Sequence, residues 1–140
     1  MPFKLLLFVS RLPHISPEAF KSQYEEHITL VKRLAGDTFP LLHKRTYLAR
    51  TTVDIPPEGA TSRNANTPAT VLMGQQSDYD YDVIAEITFA DQEGFAAFRQ
   101  KVSAPDAPEA AAELHAHEAK FMDAEKFGIV VVGDVLETKR

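Results

Sequence analysis

The sequence contains no cysteine among its 140 residues. Disulfide bonds, thiolate nucleophiles and cysteine-based zinc sites are therefore excluded. Long apolar runs are also missing, since no stretch approaches the ~20 apolar residues of a membrane-spanning helix. The apolar run of residues 5–9 is too short for the core of a signal peptide. We therefore expect a cytoplasmic protein that has no membrane partner.

Positive charge is scarce as well. The formal net charge of −5 argues against a nucleic-acid partner, which usually meets a basic protein surface. The sequence has no glycine-rich nucleotide fingerprint and no P-loop, and its histidines and acidic residues do not cluster at metal-ligand spacing. We therefore expect no cofactor and no metal. A hydrophobic content of 44% in a chain of this length fits a single domain over residues 1–140.

Hydrophobic periodicity and capping residues predict the secondary structure. Ser16 is a typical N-cap and Pro17 suits the first helical position, so a helix is expected to begin there and to stop at Gly36. Asp91 is a second N-cap candidate. The pattern predicts strands over residues 3–9, 41–52, 82–89 and 127–136, and helices over residues 17–35, from 92 to about 102, and 108–123.

Residues 53–79 are rich in proline, glycine, asparagine, threonine and serine. Such a composition cannot bury a core, and the segment is longer than a connection between two strands requires. We expect a long loop that acts as a lid over a pocket, with a short strand over residues 69–73.

The order of these elements is β-α-β-loop-β-α-α-β. Two β-α-β units predict an α+β, ferredoxin-like fold, in which a four-stranded antiparallel sheet carries its helices on one face. The other face of the sheet needs cover, and a second copy of the chain provides it most simply. We therefore expect a two-fold homodimer.

Two histidines lie on the inward stripes of the predicted helices. His27 follows Tyr24 on the first helix. The predicted stripe of the third helix runs through Ala110, Leu114, His117 and Phe121. A histidine on an apolar stripe is either a core residue or a pocket residue that can exchange a proton near neutral pH. His115 is expected on another face of the third helix, which argues against a metal-binding His-x-His pair.

Alternation places His43, Arg45 and Tyr47 on one face of the second strand. They could bind a carboxylate or phenolic oxygens, or they could form a solvated or dimer-facing surface. Glu86, inside the third strand, is either a proton-transfer carboxylate or the ion-pair partner of Arg45 or Lys44, and the partner role is favoured. Phe95 is a core residue by default and the apolar candidate among the substrate contacts.

Several of these segments resemble the EthD family. Residues 24–27, preceded by Phe20, are similar to its Tyr/Trp-x-x-His motif on helix 1. Residues 42–47 and 80–89 resemble its second and third strands. Residues 117–123 resemble its Asp-Glu-x-x-Phe-x-Asp segment, although His117 stands where aspartate is usual.

The resemblance implies a dimeric α/β barrel with a pocket between each sheet and its helices. The long middle loop is similar to that of EthD-type proteins of fungal polyketide pathways, which are associated with decarboxylation, dehydration or ring closure of aromatic polyketides. The resemblance to the EthD family also favours a pocket role for His27 over a purely structural one.

Three functions follow from this reasoning. The first is a cofactor-independent lyase or cyclase acting on an aromatic polyketide, with His27 and then His117 as catalytic candidates and with Tyr24, His43, Arg45, Tyr47, Glu86 and Phe95 as substrate contacts. The second is a cofactor-free oxygenase of anthrone- or quinol-type substrates, in which the deprotonated substrate reduces O2. The third is a non-catalytic dimer that binds a small hydrophobic molecule.

Overall fold

The computed structural model describes the whole chain, and its first two elements match the prediction. Strand β1 spans Phe3–Val9 and helix α1 spans Pro17–Ala35. Ser16 is the N-cap, since its hydroxyl accepts a hydrogen bond from Ala19 N at 3.1 Å. Gly36 has a φ of 59° and ends the helix, because residues with a side chain rarely adopt a positive φ.

The remaining helices and strands follow in the predicted order. Their bounds are β2 Leu42–Tyr47, β3 Val83–Phe89, α2 Gln92–Val102, α3 Pro108–Glu118 and β4 Gly128–Val131. Three of them end earlier than predicted. Strand β2 stops at Tyr47 because its partner β3 begins opposite, at Val83. Strand β4 stops at Val131, which pairs with Leu5 near the start of β1. Helix α3 ends at Glu118, after which the chain turns to bridge Arg11 through Met122.

The four strands form one sheet in the order β2-β3-β1-β4, and every neighbouring pair is antiparallel. The helices pack on one face of this sheet. On that face Phe20 and Tyr24 of α1 cover Val9 and Val83, which pair at one end of the two central strands. The architecture is the predicted α+β, ferredoxin-like one. None of the three helices has both the length and the apolar character that a membrane crossing requires.

The opposite face of the sheet carries no helix. Leu6 and Phe8 of β1 point to this face together with Ile84 of β3, as the strand register shows. Leu42 and Val130 lie on the same face and are 50% and 49% exposed. Apolar area of this kind usually marks a contact surface. The homodimer stays a prediction, and this is the face that it concerns.

Residues 53–79 contain two short 3₁₀ turns, at Ser62–Asn64 and Gln76–Tyr79. The strand expected over residues 69–73 does not form, and a single bridge from Arg50 to Ala69 takes its place. Val53 and Asn66 are joined by two hydrogen bonds of 3.0 and 2.9 Å, so the segment folds back on itself.

A buried ion-pair network lies beneath this segment. Arg11 Nη1 and Arg50 Nε both donate to Asp82 Oδ1, at 2.8 and 3.1 Å. Arg11 also donates to the backbone oxygen of Arg63 at 2.9 Å, and Arg63 Nη2 donates to Asp123 at 2.7 Å. These five residues, here called the Arg11–Asp82 network, fasten the segment to the ends of β1 and β3.

Candidate active site

A cavity of about 640 Å³ opens between the helices and the sheet. Most of its wall is apolar and comes from β1, α1, α2 and α3, through residues that include Leu7, Val9, Ile28, Val31, Phe98 and Leu114. The polar side chains that line it are Tyr24, His27, His43, Ser103, His115 and Glu118. An apolar cavity with a few convergent polar groups is the usual form of a small-molecule site.

His27 lies in the cavity wall at the middle of α1, and it is 6% exposed. Its ring lies edge to edge with the ring of His117, with centroids 5.2 Å apart and an angle of 6° between the planes. Phe121 meets His27 edge-on at 5.4 Å. His27 of α1 and His117 of α3 are therefore in direct contact, although His117 does not itself line the cavity, and aromatic packing fixes the orientation of His27.

Both ring nitrogens of His27 face protein groups. Its Nδ1 lies 3.0 Å from Nδ1 of His117, and its Nε2 lies 3.3 Å from Oε2 of Glu118. His27, His117 and Glu118 are here called the histidine–carboxylate cluster. Its members come from the middle of α1 and the last turn of α3.

The Nε2–Oε2 contact of 3.3 Å between His27 and Glu118 is a charge contact and not a hydrogen bond, and it favours a proton on Nε2 of His27. An ionised carboxylate only accepts protons, so it matches a His27 ring that carries its proton on Nε2. The Nδ1 of His27 is then the acceptor, and His117 donates from its own Nδ1. Burial, and next the neighbouring His27, lower the pKa of His117, which agrees with a neutral donor ring.

Tyr24 and His43 complete the polar wall on the side of the sheet. The Tyr24 ring lies between Phe20 and His27 at centroid distances of 5.7 and 6.4 Å. Burial raises the pKa of Tyr24, so its phenol stays protonated and can donate a hydrogen bond. Burial, and next the charge of Arg45, lower the pKa of His43 to about 4, so this ring is neutral at neutral pH.

Arg45 and Tyr47 do not line the cavity, although they share a strand face with His43. Both bind Glu25 of α1: Arg45 donates to its two carboxylate oxygens at 2.6 and 2.9 Å, and the Tyr47 hydroxyl donates at 2.7 Å. The guanidinium of Arg45 holds the pKa of Glu25 below its ordinary value. Arg45 and Tyr47 were expected to contact the substrate, but in the structure both are bound to Glu25. The helical pattern misses Glu25, because it assigns this residue to a solvated face.

Glu86 and Phe95 also lie outside the cavity. Glu86 is on the helix-free face of the sheet, where its ion-pair partner is Lys4 at 3.9 Å. The preferred partners, Arg45 and Lys44, were therefore wrong, and Glu86 does not line the cavity. Phe95 packs on Phe3 at 5.2 Å and on Phe89 at 5.4 Å, so it is a core residue and not a substrate contact.

Sequence reasoning missed two cavity residues of α3, His115 and Glu118. The residues of this helix that line the cavity are Ala111, Leu114, His115 and Glu118. They follow the i, i+3, i+4, i+7 spacing of one helical face. The sequence stripe began one residue earlier, at Ala110, and that phase leaves His115 and Glu118 on other faces. A stripe that begins at Ala111 has the same helical spacing and gives the observed cavity-facing residues.

The segment of residues 53–79 contributes no residue to the cavity wall. In this chain it therefore does not form the expected lid, because the Arg11–Asp82 network holds it at the ends of β1 and β3 instead. No group of three or more histidine or acidic side chains is placed so that it could hold a metal ion.

Two solved structures are similar to this chain, and the first of them supports the fold. Protein At3g17210 of Arabidopsis thaliana is similar over 98% of this chain and 99% of its own, at 14% identity and a TM-score of 0.53. SnoaB of Streptomyces nogalater, a cofactor-independent oxygenase, covers 99% of this chain and 98% of its own, at 14% identity and a TM-score of 0.46. Likeness at these identities concerns architecture and not activity. No curated protein matches the sequence at a significant level.

The fold and the cavity together define a ferredoxin-like α+β domain with a largely apolar cavity between its sheet and its helices. The model of the EthD domain matches residues 12–125, which is most of the chain. The protein belongs to the EthD domain family.

Proposed function

We propose that this protein is a cofactor-independent lyase or cyclase that acts on an aromatic polyketide by proton transfer. The observation that carries the proposal is the histidine–carboxylate cluster, of which His27 and Glu118 line a largely apolar cavity. Small organic ligands occupy pockets of ~300–1,000 Å³. The cavity of about 640 Å³ falls in this range, and its aliphatic and aromatic walls suit fused rings.

The cluster can both accept and return a proton. His27 is its central member, and it links the carboxylate of Glu118 to the ring of His117. The protonated hydroxyl of Tyr24 and the neutral ring of His43 can orient or polarise substrate oxygens. Removal of an α-proton from a poly-β-ketone starts an aldol ring closure, and return of that proton to a hydroxyl group completes a dehydration. Protonation of the ring carbon that bears a carboxyl group allows CO2 to leave.

One observation favours a second function, that of a non-catalytic protein that binds a hydrophobic small molecule. Both ring nitrogens of His27 already face protein groups, as those of a structural histidine do. In that case the cluster would hold α1 against α3 and the cavity would bind its ligand without turnover.

The decisive experiment is incubation with a panel of anthrones, anthraquinones and their carboxylic acids. Mass spectrometry then detects loss of CO2, loss of water or gain of oxygen, while an oxygen electrode records O2 uptake. Loss of CO2 or water without O2 uptake supports the lyase or cyclase. O2 uptake with gain of oxygen points to a cofactor-free oxygenase, and tight binding without any product points to the binding protein.

We also propose that the protein works as a homodimer through the helix-free face of the sheet. The apolar side chains on this face support the proposal. Two of them, Leu42 and Val130, are exposed, and the strand register places Leu6, Phe8 and Ile84 beside them. Sedimentation equilibrium at micromolar concentration should give the mass of two chains. A mass of one chain would rule out the dimer under these conditions.

A further inference from the structure

The proposed reaction leaves the charge of the ligand open. The position of Glu118 in the cavity wall bears on this charge. We propose that the cavity selects a neutral aromatic ligand, which presents a hydroxyl group or an enolisable C–H to Glu118, and that it rejects the carboxylate of an aromatic acid. This inference rests on the proposed function, because it names the substrate class of the same cavity.

Within the histidine–carboxylate cluster, Glu118 is the group that a ligand meets. Its side chain is 27% exposed, whereas that of His27 is 7% exposed. One oxygen of Glu118 lies beside His27 Nε2, and the carboxylate borders the cavity. His27 Nε2 lies 3.3 Å from that carboxylate, so His27 and Glu118 can share the proton taken from the ligand.

The charges around the cavity favour the same conclusion. Among the lining residues Glu118 is the carboxylate, and lysine and arginine do not contribute to the wall. The lowered pKa of His43, about 4, leaves that ring uncharged at neutral pH. Arg45 lies 3.3 Å from His43, but its guanidinium is bound by both oxygens of Glu25. A ligand carboxylate would therefore meet the charge of Glu118 with no lysine or arginine in the wall to offset it; besides His43, the lining histidines are His27 and His115.

Apolar walls strengthen this selection. Like charges repel strongly where protein groups replace water, and an unpaired charge is costly to bury. A phenolic or enolic O–H, in contrast, can donate a charge-assisted hydrogen bond to Glu118. The same carboxylate thus attracts a neutral donor and repels an acid.

The corresponding step is balanced without a further reactant. The C–H bond next to a ligand carbonyl breaks, its proton moves to the Glu118 carboxylate, and the electron pair remains on the ligand as an enolate. In a dehydration the enolate then forms a C=C bond, and the β-hydroxyl leaves with that proton as water. The inference therefore favours dehydration and ring closure over decarboxylation.

A matched pair of ligands tests the proposal. Chrysazin is a neutral dihydroxyanthraquinone, and rhein has the same rings and hydroxyl groups with one carboxyl group added. Binding of each to the full-length protein is measured at neutral pH by fluorescence quenching. We expect chrysazin to bind at least ~10-fold more tightly than rhein. Equal affinities, or tighter binding of rhein, would overturn the proposal.

The variant Glu118→Gln assigns this preference to the residue. Glutamine keeps the shape of the side chain and removes its charge, so the difference between the two ligands should shrink to within ~3-fold. Glu109→Gln removes an exposed carboxylate from the same helix and away from the cavity, and should preserve the full difference. A difference that persists in Glu118→Gln would contradict the inference, as would its loss in Glu109→Gln.

Equilibrium binding also separates this inference from the proposed function. Preference for chrysazin without turnover of any panel compound would support the ligand class and reject the enzyme. Decarboxylation of an aromatic acid that binds as tightly as its neutral counterpart would support the enzyme and reject the ligand class.

Discussion

Two polar clusters of this chain are built from similar groups but differ in what they face. In the Arg11–Asp82 network the side chains of Arg11 and Asp82 are each 3% exposed, and backbone oxygens take up much of the remaining donor capacity. Arg50, for example, donates to Tyr81 O at 2.8 Å and to Thr67 O at 3.0 Å. In the histidine–carboxylate cluster, Glu118 borders an open cavity.

This difference teaches that buried charge alone does not indicate a functional site. The Arg11–Asp82 network is closed, since its groups are bound to one another and to the segment above them, apart from the unpartnered Nη1 of Arg63. The histidine–carboxylate cluster has fewer charges, yet one of its acceptors is available to a ligand. We therefore expect substitutions in the network to change stability, and those in the cluster to change activity.

The largest expected effect concerns His27→Gln. Glutamine keeps much of the size and some hydrogen bonding of histidine, but it cannot exchange a proton near neutral pH. Turnover of the substrate found in the panel should fall by ~10²–10⁴-fold, while the protein remains folded. His14→Gln, in the exposed turn before α1, is the control and should keep full activity. Full activity in a folded His27→Gln protein would move the chemistry to Glu118, His117 or His43.

The next effect concerns Asp82→Asn in the closed network. This change leaves Arg11 and Arg50 buried without their shared counter-charge, so the free energy of unfolding should fall by ~3–5 kcal/mol. Urea denaturation followed by circular dichroism measures it. Glu113→Gln removes the partner of Arg33 from an exposed ion pair of 2.6 Å and should lower the same free energy by at most ~1 kcal/mol. Similar losses in both variants would show that burial does not distinguish the two pairs.

The fold was predictable because its signals are local. Ser16 and Asp91 cap their helices as the sequence predicts, with hydrogen bonds from Ala19 N at 3.1 Å and Gly94 N at 2.8 Å. Alternating residues of β3 gave the correct buried face, from Val83 to Phe89. Local patterns of this kind do not depend on knowing which distant residue will be the neighbour.

The polar partners were less predictable, since they depend on distant contacts. Arg11 and Asp82 are separated by 71 positions, and Glu25 and Arg45 by 20. The alanine-rich start of α3 also allows two phases of its apolar stripe. The predicted phase places Glu118 away from the cavity. The sequence therefore located His27 and His117 but not the carboxylate beside them.

A smaller effect concerns the pH dependence of stability, through His43 in the cavity wall. The pKa of His43 falls from 6.5 to about 4 on folding. Below its ordinary pKa the unfolded chain binds a proton that the folded protein does not bind, so this contribution to stability is present above pH ~6.5 and is lost as the pH falls towards ~4. Because His43 is only partly buried, we expect a loss of ~1–2 kcal/mol. In His43→Gln the dependence should be weaker, whereas an unchanged slope would assign it to other groups.

The smallest effect concerns the outer part of the long segment. Residues 54–59 are exposed, do not line the cavity and lie outside the Arg11–Asp82 network. Their replacement by a glycine–serine sequence of equal length should lower the free energy of unfolding by ~1 kcal/mol or less, because it removes two prolines from the loop. The affinity for chrysazin should stay within ~2-fold, since the cavity wall is unchanged. A loss of binding well beyond this, without unfolding, would mean that the segment covers the cavity of a second copy, which would restore the expected lid in the dimer.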